Sequence, residues 1–152
     1  MTKQVFKFVQ GLKLQGKVLD CGSLDINGSV RPLFTDYTGL DRIPGKNVDI
    51  VASCHKIPFP DEYFDHVLSL EMIEHDDDFW KSISEMRRVL KPDGKLVITT
   101  RGIHFKLHED HPGVNDYWRF TAKALKLLFE GMKDIFVTDQ TGENGVFGYA
   151  TK

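Results

Sequence analysis

The sequence predicts an α/β protein built on one open, mainly parallel sheet, and three observations support this. Apolar strand-like runs alternate with helical patterns along the 152 residues, which is typical of parallel sheets with crossover helices. The run at residues 66–70 is almost continuously apolar, as expected for a strand covered on both faces. The last two strand-like runs are separated only by the polar turn at residues 141–145, so they should pair antiparallel.

Seven strands follow from apolar and β-branched runs bounded by turn signals. They are predicted at residues 17–21, 36–41, 48–52, 66–70, 95–100, 134–139 and 146–151. Because no linker or repeat interrupts this order, the sequence predicts a single domain over residues 1–152, with one reversed strand in its sheet.

Helical periodicity predicts the elements between the strands. The clearest helix, at residues 77–90, has an apolar stripe, an acidic start and a basic end, as the helix dipole favours. The Pro-Asp-Gly run at residues 92–94 should end it. Thr121 should cap a helix that reaches residue 129, and a short helix is predicted at residues 29–34. Apolar spacing near the amino terminus predicts one further helix.

Charge and hydropathy exclude several classes of partner. A net charge of -2 gives no reason to expect nucleic acid or a membrane surface, and no apolar run approaches membrane length. Residues 1–15 alternate polar and apolar side chains, so no signal peptide is expected. Cys21 and Cys54 lie in apolar runs, which favours reduced, buried thiols and a cytoplasmic location.

A glycine turn follows the first predicted strand, at the sheet edge where open α/β proteins bind ligands. Gly22 permits close approach to the backbone, but Leu24 and Asn27 stand where a dinucleotide turn has its other two glycines. A pyrophosphate needs those close backbone contacts, whereas a ligand with a ribose and no phosphate does not. The loop therefore favours a ligand of the second kind, such as S-adenosylmethionine.

Carboxylates near the strand ends predict how this ligand is held. Asp41 ends the second strand about twenty residues past the glycine turn, where a carboxylate can accept both ribose hydroxyl protons. Asp20 or Asp25 could receive the ammonium group of the amino-acid tail. The alternatives are that Asp41 is an ordinary turn acid, helped by Arg42, and that Asp25 caps its own turn.

Several motifs resemble the class I S-adenosylmethionine-dependent methyltransferases, especially the type 11 methyltransferase-domain group. Residues 18–22 (VLDCG) and 37–41 (YTGLD) are similar to the first two family motifs. Residues 57–65 are similar to the LPFPD…FD segment, and residues 74–75 with 85–94 to the EH…E..RVLKPGG run. The resemblance implies a Rossmann-like methyltransferase fold with seven strands and an antiparallel last strand. The chain lacks the usual long helices after its first three strands, so its helices should be reduced.

The resemblance also assigns cofactor-binding roles for S-adenosylmethionine. Gly22 matches the glycine beside the methionine moiety, and Asp41 matches the ribose acid. Ser53 falls where many members have an aspartate on the adenine amino group, and the Cys54 amide could reach the ring. The expected cofactor-binding residues are Asp20, Gly22, Asp25, Asp41, Arg42, Ser53, Cys54 and Leu70.

The segment at residues 101–121 should bind the acceptor, because it leaves the fifth strand and should cover the open end of the site. Its DYWRFT run resembles a stretch in type 11 members associated with sugar or glycolipid modification. The candidate substrate-binding residues are Tyr117, Trp118 and Arg119. The candidate catalytic residues are His104, His111 and Glu71, with a base needed only if the acceptor must lose a proton first.

Structural roles remain open for the same residues. Trp118 and Phe120 could pack beneath the following helix, and Asp116 with Arg119 could form an ion pair. The histidines do not predict a metal, because no cysteine or local carboxylate arrangement resembles a closed zinc site. No Pro-Pro-aromatic motif follows strand four and neither cysteine follows a proline, which argues against methylation of DNA bases.

The sequence therefore predicts a methyltransferase that acts on a small-molecule or saccharide-like acceptor. Leu24 and Ser53 motivate one alternative, an inactive methyltransferase-like cofactor-binding or scaffold module. A second alternative, a nicotinamide-dependent oxidoreductase, is disfavoured by the incomplete glycine pattern. Because so few helices cover the sheet, an apolar face could remain for a partner, and a homo-oligomer is possible.

Overall fold

The computed structural model describes residues 1–107, 115–140, 142 and 144–152. The strands are β1 (Lys17–Cys21), β2 (Asp36–Asp41), β3 (Ile50–Val51), β4 (Phe64–Leu70), β5 (Leu90–Arg101), β6 (Lys133–Gln140) and β7 (Gly145–Thr151). The helices are α1 (Lys3–Gly11), α2 (Phe79–Val89) and α3 (Ala122–Leu128), with 3₁₀ turns at Arg31–Leu33 and Ile73–His75.

One seven-stranded sheet has the order β3-β2-β1-β4-β5-β7-β6. The pairs β1–β2, β1–β4, β2–β3 and β4–β5 are parallel, whereas β7 is antiparallel to both β5 and β6. The predicted fold is thereby confirmed, including the single reversed strand. The carboxyl ends of the parallel strands all lie at one edge, where an open sheet of this kind binds ligands.

The two faces of the sheet are covered by different helices. Alternate strand residues point to opposite faces, so Leu19 and Val67 pack with α2 and α3, whereas Val18 and Leu68 pack with α1. All four of these side chains are fully buried, so a hydrophobic core lies on each face of the sheet. Only the 3₁₀ turn at Arg31–Leu33 lies between β1 and β2, which confirms the expected reduction of helices near the glycine turn.

The helix predicted at residues 77–90 begins two residues later and ends one residue earlier. The Asp76 carboxylate accepts hydrogen bonds from the Asp78 amide (3.1 Å) and from the Ser82 hydroxyl, so the chain turns before α2 begins. At the other end Leu90 already pairs with Phe64 of β4. The Pro-Asp-Gly run at residues 92–94 therefore lies within β5, beside an irregular register, rather than in a separate turn.

Two further predictions were too long. The third strand was predicted at residues 48–52 but contains only Ile50 and Val51. Asn47 has a φ of 73°, and its side-chain NH₂ group donates to the Ser23 carbonyl and to the Tyr37 hydroxyl. The chain therefore pairs with β2 only after this residue. The short helix predicted at residues 29–34 is a single 3₁₀ turn of three residues.

The remaining elements agree with their predictions to within a few residues. The Thr2 and Thr121 hydroxyls cap α1 and α3, accepting from Val5 N (3.3 Å) and Ala124 N (3.1 Å). The predicted turn before β7 lies partly outside the described residues. No helix in the described part of the chain has the length and apolar character needed to cross a membrane.

Candidate functional site

A cavity of about 260 Å³ opens at the carboxyl ends of β1, β2 and β4. Its walls bring together most of the predicted cofactor-binding residues, although they come from four separate stretches of sequence. The predicted residues in these walls are Asp20, Gly22, Asp41, Arg42, Ser53, Cys54, Leu70 and Glu71. This convergence follows from the parallel register, because the ends of neighbouring parallel strands meet at one edge.

Gly22 is required by the shape of the turn after β1. Its φ is +82°, and an added Cβ would lie 2.3 Å from Met72 Cγ. Its amide donates to the carbonyl of Leu40 on β2 (2.8 Å). Leu24, which stands where a dinucleotide turn has a glycine, fits because its side chain lies over Gly45, where an added Cβ would be 2.5 Å from Leu24 Cδ1. The turn therefore keeps its shape without the second glycine.

Asp41 is held by backbone amides on both sides. Its Oδ2 accepts from Leu24 N (3.1 Å) and its Oδ1 from Ile43 N (2.9 Å). Each oxygen keeps a further lone pair, and the half-buried residue faces the cavity. The two predicted roles are thus compatible, since a carboxylate fixed by its turn still keeps lone pairs for a pair of vicinal hydroxyls.

The two candidate ammonium acceptors differ sharply. Asp25 pairs with Lys46 (2.7 Å) and accepts from Gly28 N (2.7 Å), which lower its pKa, and it is absent from the cavity walls. Asp20 is 4% exposed, and burial raises its pKa to about 7. Its Oδ1 has no hydrogen-bond partner among the described residues, whereas its Oδ2 accepts from Tyr37. Asp25 therefore caps its own turn, whereas Asp20 keeps one buried oxygen without a partner among the described residues.

The wall formed by β4 and β5 holds acids that sequence reasoning missed or underrated. Glu71 has a φ of 57° and pairs with Arg101, with Nε and Oε2 2.8 Å apart. Glu74 is fully buried and accepts from the Thr100 hydroxyl (2.8 Å). Burial, and then the charge of Glu71, raise the pKa of Glu74. Glu74 is unusual because it lies buried between Ile73 and β5, and no local sequence pattern predicts this burial.

Replacing Glu74 by glutamine should make the protein more stable at alkaline pH. The Glu74 carboxyl group contributes fully to the stability of the folded protein below its ordinary pKa of 4.5. That contribution is lost as the pH rises through the higher pKa that Glu74 has in the folded state. We expect Glu74→Gln to raise the free energy of unfolding by roughly 1–3 kcal/mol above about pH 8. Denaturant titrations across pH measure this, with the exposed Glu130→Gln as control. Equal pH dependence in wild type and Glu74→Gln would contradict the assignment.

Of the predicted acceptor segment, residues 101–107 and 115–121 are described, and among these Arg101 alone lines the cavity while the others lie beside it. The Tyr117 and Trp118 amides donate to the Glu74 carbonyl (2.8 and 3.1 Å), and Trp118 Nε1 donates to the Asp76 carbonyl (2.9 Å). Arg119 forms an ion pair with Asp116 (2.5 Å). The structural alternative for Arg119 is therefore realised, and Tyr117, Trp118 and Arg119 are absent from the cavity lining.

Of the two candidate histidines, the structure describes only one. His104 is exposed and does not line the cavity, and His111 lies outside the described residues. Trp118 and Phe120 pack edge-on against Phe79 of α2, with ring centroids 5.4 and 5.2 Å away. Phe120 is buried and belongs to the core beside that helix, whereas Trp118 stays exposed. Of the three candidate catalytic residues, Glu71 alone among those described lies in the cavity wall.

A histidine and two aspartates approach one another at the cavity rim. Ligand atoms of His55, Asp76 and Asp77 lie within 4.8 Å, the sole such group among the described residues. Asp76 already accepts from Asp78 and Ser82 and pairs with His55 (2.7 Å). These contacts give Asp76 a structural role at the start of α2.

A family model and curated relatives both match this chain, and both are methyltransferases. Residues 13–98 match the family model described as a methyltransferase domain. A ubiquinone/menaquinone biosynthesis C-methyltransferase of Paraburkholderia phymatum is 37% identical over 92 residues, covering 57% of this chain and 35% of that protein. The chain covers about a fifth to a third of the length of such curated relatives, from 19% to 36%.

Solved structures resemble nearly the whole chain. A possible histamine N-methyltransferase of Thermotoga maritima superposes with a TM-score of 0.74 at 20% identity, covering 97% of this chain and 87% of that one. The 1,6-didemethyltoxoflavin-N1-methyltransferase of Burkholderia thailandensis, with bound 1,6-didemethyltoxoflavin and S-adenosylhomocysteine, gives 0.68 at 17% identity, covering 99% and 77%. At these identities the likeness concerns the fold.

Proposed function

The chain belongs to the class I S-adenosylmethionine-dependent methyltransferases of the type 11 group, and on that premise we propose that it binds S-adenosylmethionine and methylates a small-molecule acceptor. One observation carries the proposal: Asp20, Gly22 and Asp41 meet in one cavity at the carboxyl ends of β1 and β2. The cavity offers an acid for the ammonium group and another for the ribose. The methyltransferase domain is proposed to extend over residues 1–152.

The cofactor is proposed to lie along the strand ends. Asp41 accepts the ribose hydroxyls, the Gly22 turn lies against the methionine tail, and Asp20 receives its ammonium group. Ser53 and the Cys54 amide frame the adenine, and their positions just past β3 support this arrangement. Arg42 lines the same wall, whereas Asp25 supports the turn through Gly28.

The cofactor, when bound, supplies an electrophilic methyl group on a sulfonium. The chain needs to align the acceptor with the carbon–sulfur bond and to exclude water, and such positioning can supply much of the rate. Leu70, which is 9% exposed, gives the end of β4 an apolar surface beside the cavity. Glu71 is the proposed acceptor-side acid, oriented by Arg101, with His104 and His111 as the further candidate bases.

The acceptor is proposed to be a small molecule with a hydroxyl or carboxyl group, including saccharide-like compounds. The limited cavity supports a small acceptor, and 1,6-didemethyltoxoflavin bound to the Burkholderia enzyme is a precedent for that size class. Residues 115–120 are proposed to guide the acceptor from the rim. Their amide contacts with Glu74 support this role, because Glu74 lines the cavity.

Replacing Trp118 by alanine should weaken acceptor binding without changing cofactor affinity. Trp118 is 42% exposed at the rim, and its loss removes both an aromatic surface and the bond to the Asp76 carbonyl. We expect KM for the acceptor to rise about tenfold, the scale of one stacking contact. Trp80→Ala is the matched control, since Trp80 is 60% exposed on α2 and lines no part of this cavity. Equal effects of both variants would refute the assignment.

Formation of S-adenosylhomocysteine from S-adenosylmethionine tests the function. The purified protein is incubated with a panel of phenols, carboxylic acids and saccharides, and acceptor-dependent product is expected with at least one class. Ser53, which stands in place of the family acid, favours the alternative of a cofactor-binding module without turnover. Tight cofactor binding with no product across the panel would favour that alternative.

A further inference from the structure

A directed chain of hydrogen bonds runs behind the cofactor site and ends on Asp20. Arg31 Nε donates to Asn47 Oδ1 (2.7 Å), and Asn47 Nδ2 donates to the Tyr37 hydroxyl oxygen (2.9 Å). The Tyr37 hydroxyl in turn donates to Asp20 Oδ2. The Arg31 guanidinium also lies over the Tyr37 ring, 4.5 Å from its centroid, which fixes the ring in place.

The direction of this chain follows from the chemistry of its members. A guanidinium can only donate, so Asn47 presents its oxygen to Arg31 and its NH₂ group to Tyr37. The same NH₂ group donates to the Ser23 carbonyl (2.8 Å), which confirms its orientation. Because the Tyr37 oxygen accepts from Asn47, its single proton is directed at Asp20 Oδ2.

The consequence is that the two oxygens of Asp20 have different roles. Oδ2 accepts from Tyr37, and because a protonated carboxyl oxygen is the weaker acceptor, a proton on the carboxyl group favours Oδ1. Oδ1 is buried, has no partner among the described residues and belongs to a residue that lines the cavity. An ammonium group only donates, so it can bind Oδ1 only after that proton has left.

We infer that binding of the cofactor tail displaces one proton from Asp20, and that Tyr37 is the positioning residue that confines this proton to Oδ1. The step balances: the neutral carboxyl group and the ammonium ion become a carboxylate–ammonium pair, and one proton passes to solvent. The inference rests on the proposed function, because it assigns a proton-linked step to the proposed cofactor site.

The surroundings of Asp20 place this exchange near neutral pH. Burial raises the pKa of Asp20 to about 7, the Tyr37 hydrogen bond lowers it, the charge of Asp41 raises it, and Arg31 lowers it. The adjoining Cys21 thiol stays uncharged, since its own pKa is raised well above the usual value by Cys54 and burial. Leu68, the partner of Asp20 on β4, contributes no charge.

Calorimetric titration with S-adenosylhomocysteine, which carries the same amino-acid tail, tests the inference. Measurements between about pH 5.5 and about pH 8.5, in pairs of buffers with different ionisation enthalpies, report the protons released. We expect close to one proton at the acid end, almost none at the alkaline end, and an affinity that falls about tenfold per pH unit below about pH 7. Binding with constant affinity and no proton release would overturn the inference.

Two variants test which residue releases the proton and which residue positions it. Asp20→Asn should bind more weakly and release no proton, and continued release would show that another group titrates. Tyr37→Phe should move the midpoint of the pH profile upward, because the carboxylate loses a donor that lowers its pKa. A loss of affinity that is equal at every pH would reduce Tyr37 to a structural residue and overturn its assignment.

A control variant and the binding behaviour of the wild-type protein distinguish failure of this inference from failure of the proposed function. Tyr149→Phe removes a hydroxyl on β7, outside the cavity lining, and should leave the pH profile unchanged. If wild-type protein binds no S-adenosylhomocysteine at any pH, the proposed function fails and the inference fails with it. If it binds without a pH dependence, the proposed function stands and the inference alone fails.

Discussion

Replacing Asp41 by alanine should weaken binding of S-adenosylhomocysteine by about 100-fold or more, the largest effect expected for a surface-accessible residue of this site. The carboxylate is fixed by the amides of Leu24 and Ile43, and its remaining lone pairs are proposed to accept the ribose hydroxyls. Hydrogen bonds to a charged group contribute about 1.5–3 kcal/mol each, and two are lost together. Calorimetric titration measures the change.

The matched control for this prediction is Asp36→Ala. Asp36 is the exposed first residue of the same strand, at the end away from the cavity, so its loss should leave affinity unchanged. Thermal unfolding of Asp41→Ala separates binding from folding, because the variant also loses the two amide contacts. A folded Asp41→Ala protein with wild-type affinity would refute the ribose assignment.

Replacing Gly22 by alanine should both destabilise the protein and abolish cofactor binding. At a φ of +82° any side chain is strained, and the new Cβ would lie 2.3 Å from Met72 Cγ and 2.6 Å from Met72 Cβ. We expect a loss of roughly 1–3 kcal/mol in the free energy of unfolding. The turn that should contact the methionine tail would shift as well, so binding should fall below detection.

Gly11→Ala supplies the comparison for this substitution. Gly11 ends α1, and an added Cβ there would meet nothing within 4 Å. The variant should be as stable as wild type or slightly more so, because alanine favours helix and restricts the unfolded chain. Equal stabilities of Gly22→Ala and wild type in denaturant titrations would show that the turn relaxes, contrary to our account.

Sheet topology could be predicted from sequence because it depends on local patterns. Apolar runs, turn signals and the short connection before β7 each act over a few residues, and they determine strand number and the one reversal. Gly22 and Asp41 could be placed for the same reason, since strand ends meet at one edge. Boundaries were less predictable where side chains from elsewhere intervene, as Asp76 does before α2.

The electrostatics of the site could not be predicted, because they depend on contacts between distant segments. Asp20 and Asp25 look alike in sequence, yet Lys46 neutralises Asp25 while burial and Tyr37 act on Asp20. Glu74 follows a strand like many surface acids, but the fold encloses it beside Thr100. Such differences arise only when the sheet brings separate strands together.

Calorimetric titration of the purified protein with S-adenosylhomocysteine, with NADH as the control ligand, decides whether the cavity at the strand ends binds the proposed cofactor. We predict micromolar binding of S-adenosylhomocysteine, about −8 kcal/mol, and no binding of NADH, because the turn after β1 lacks two glycines of a dinucleotide site. Binding of NADH alone, or of neither ligand, would contradict it.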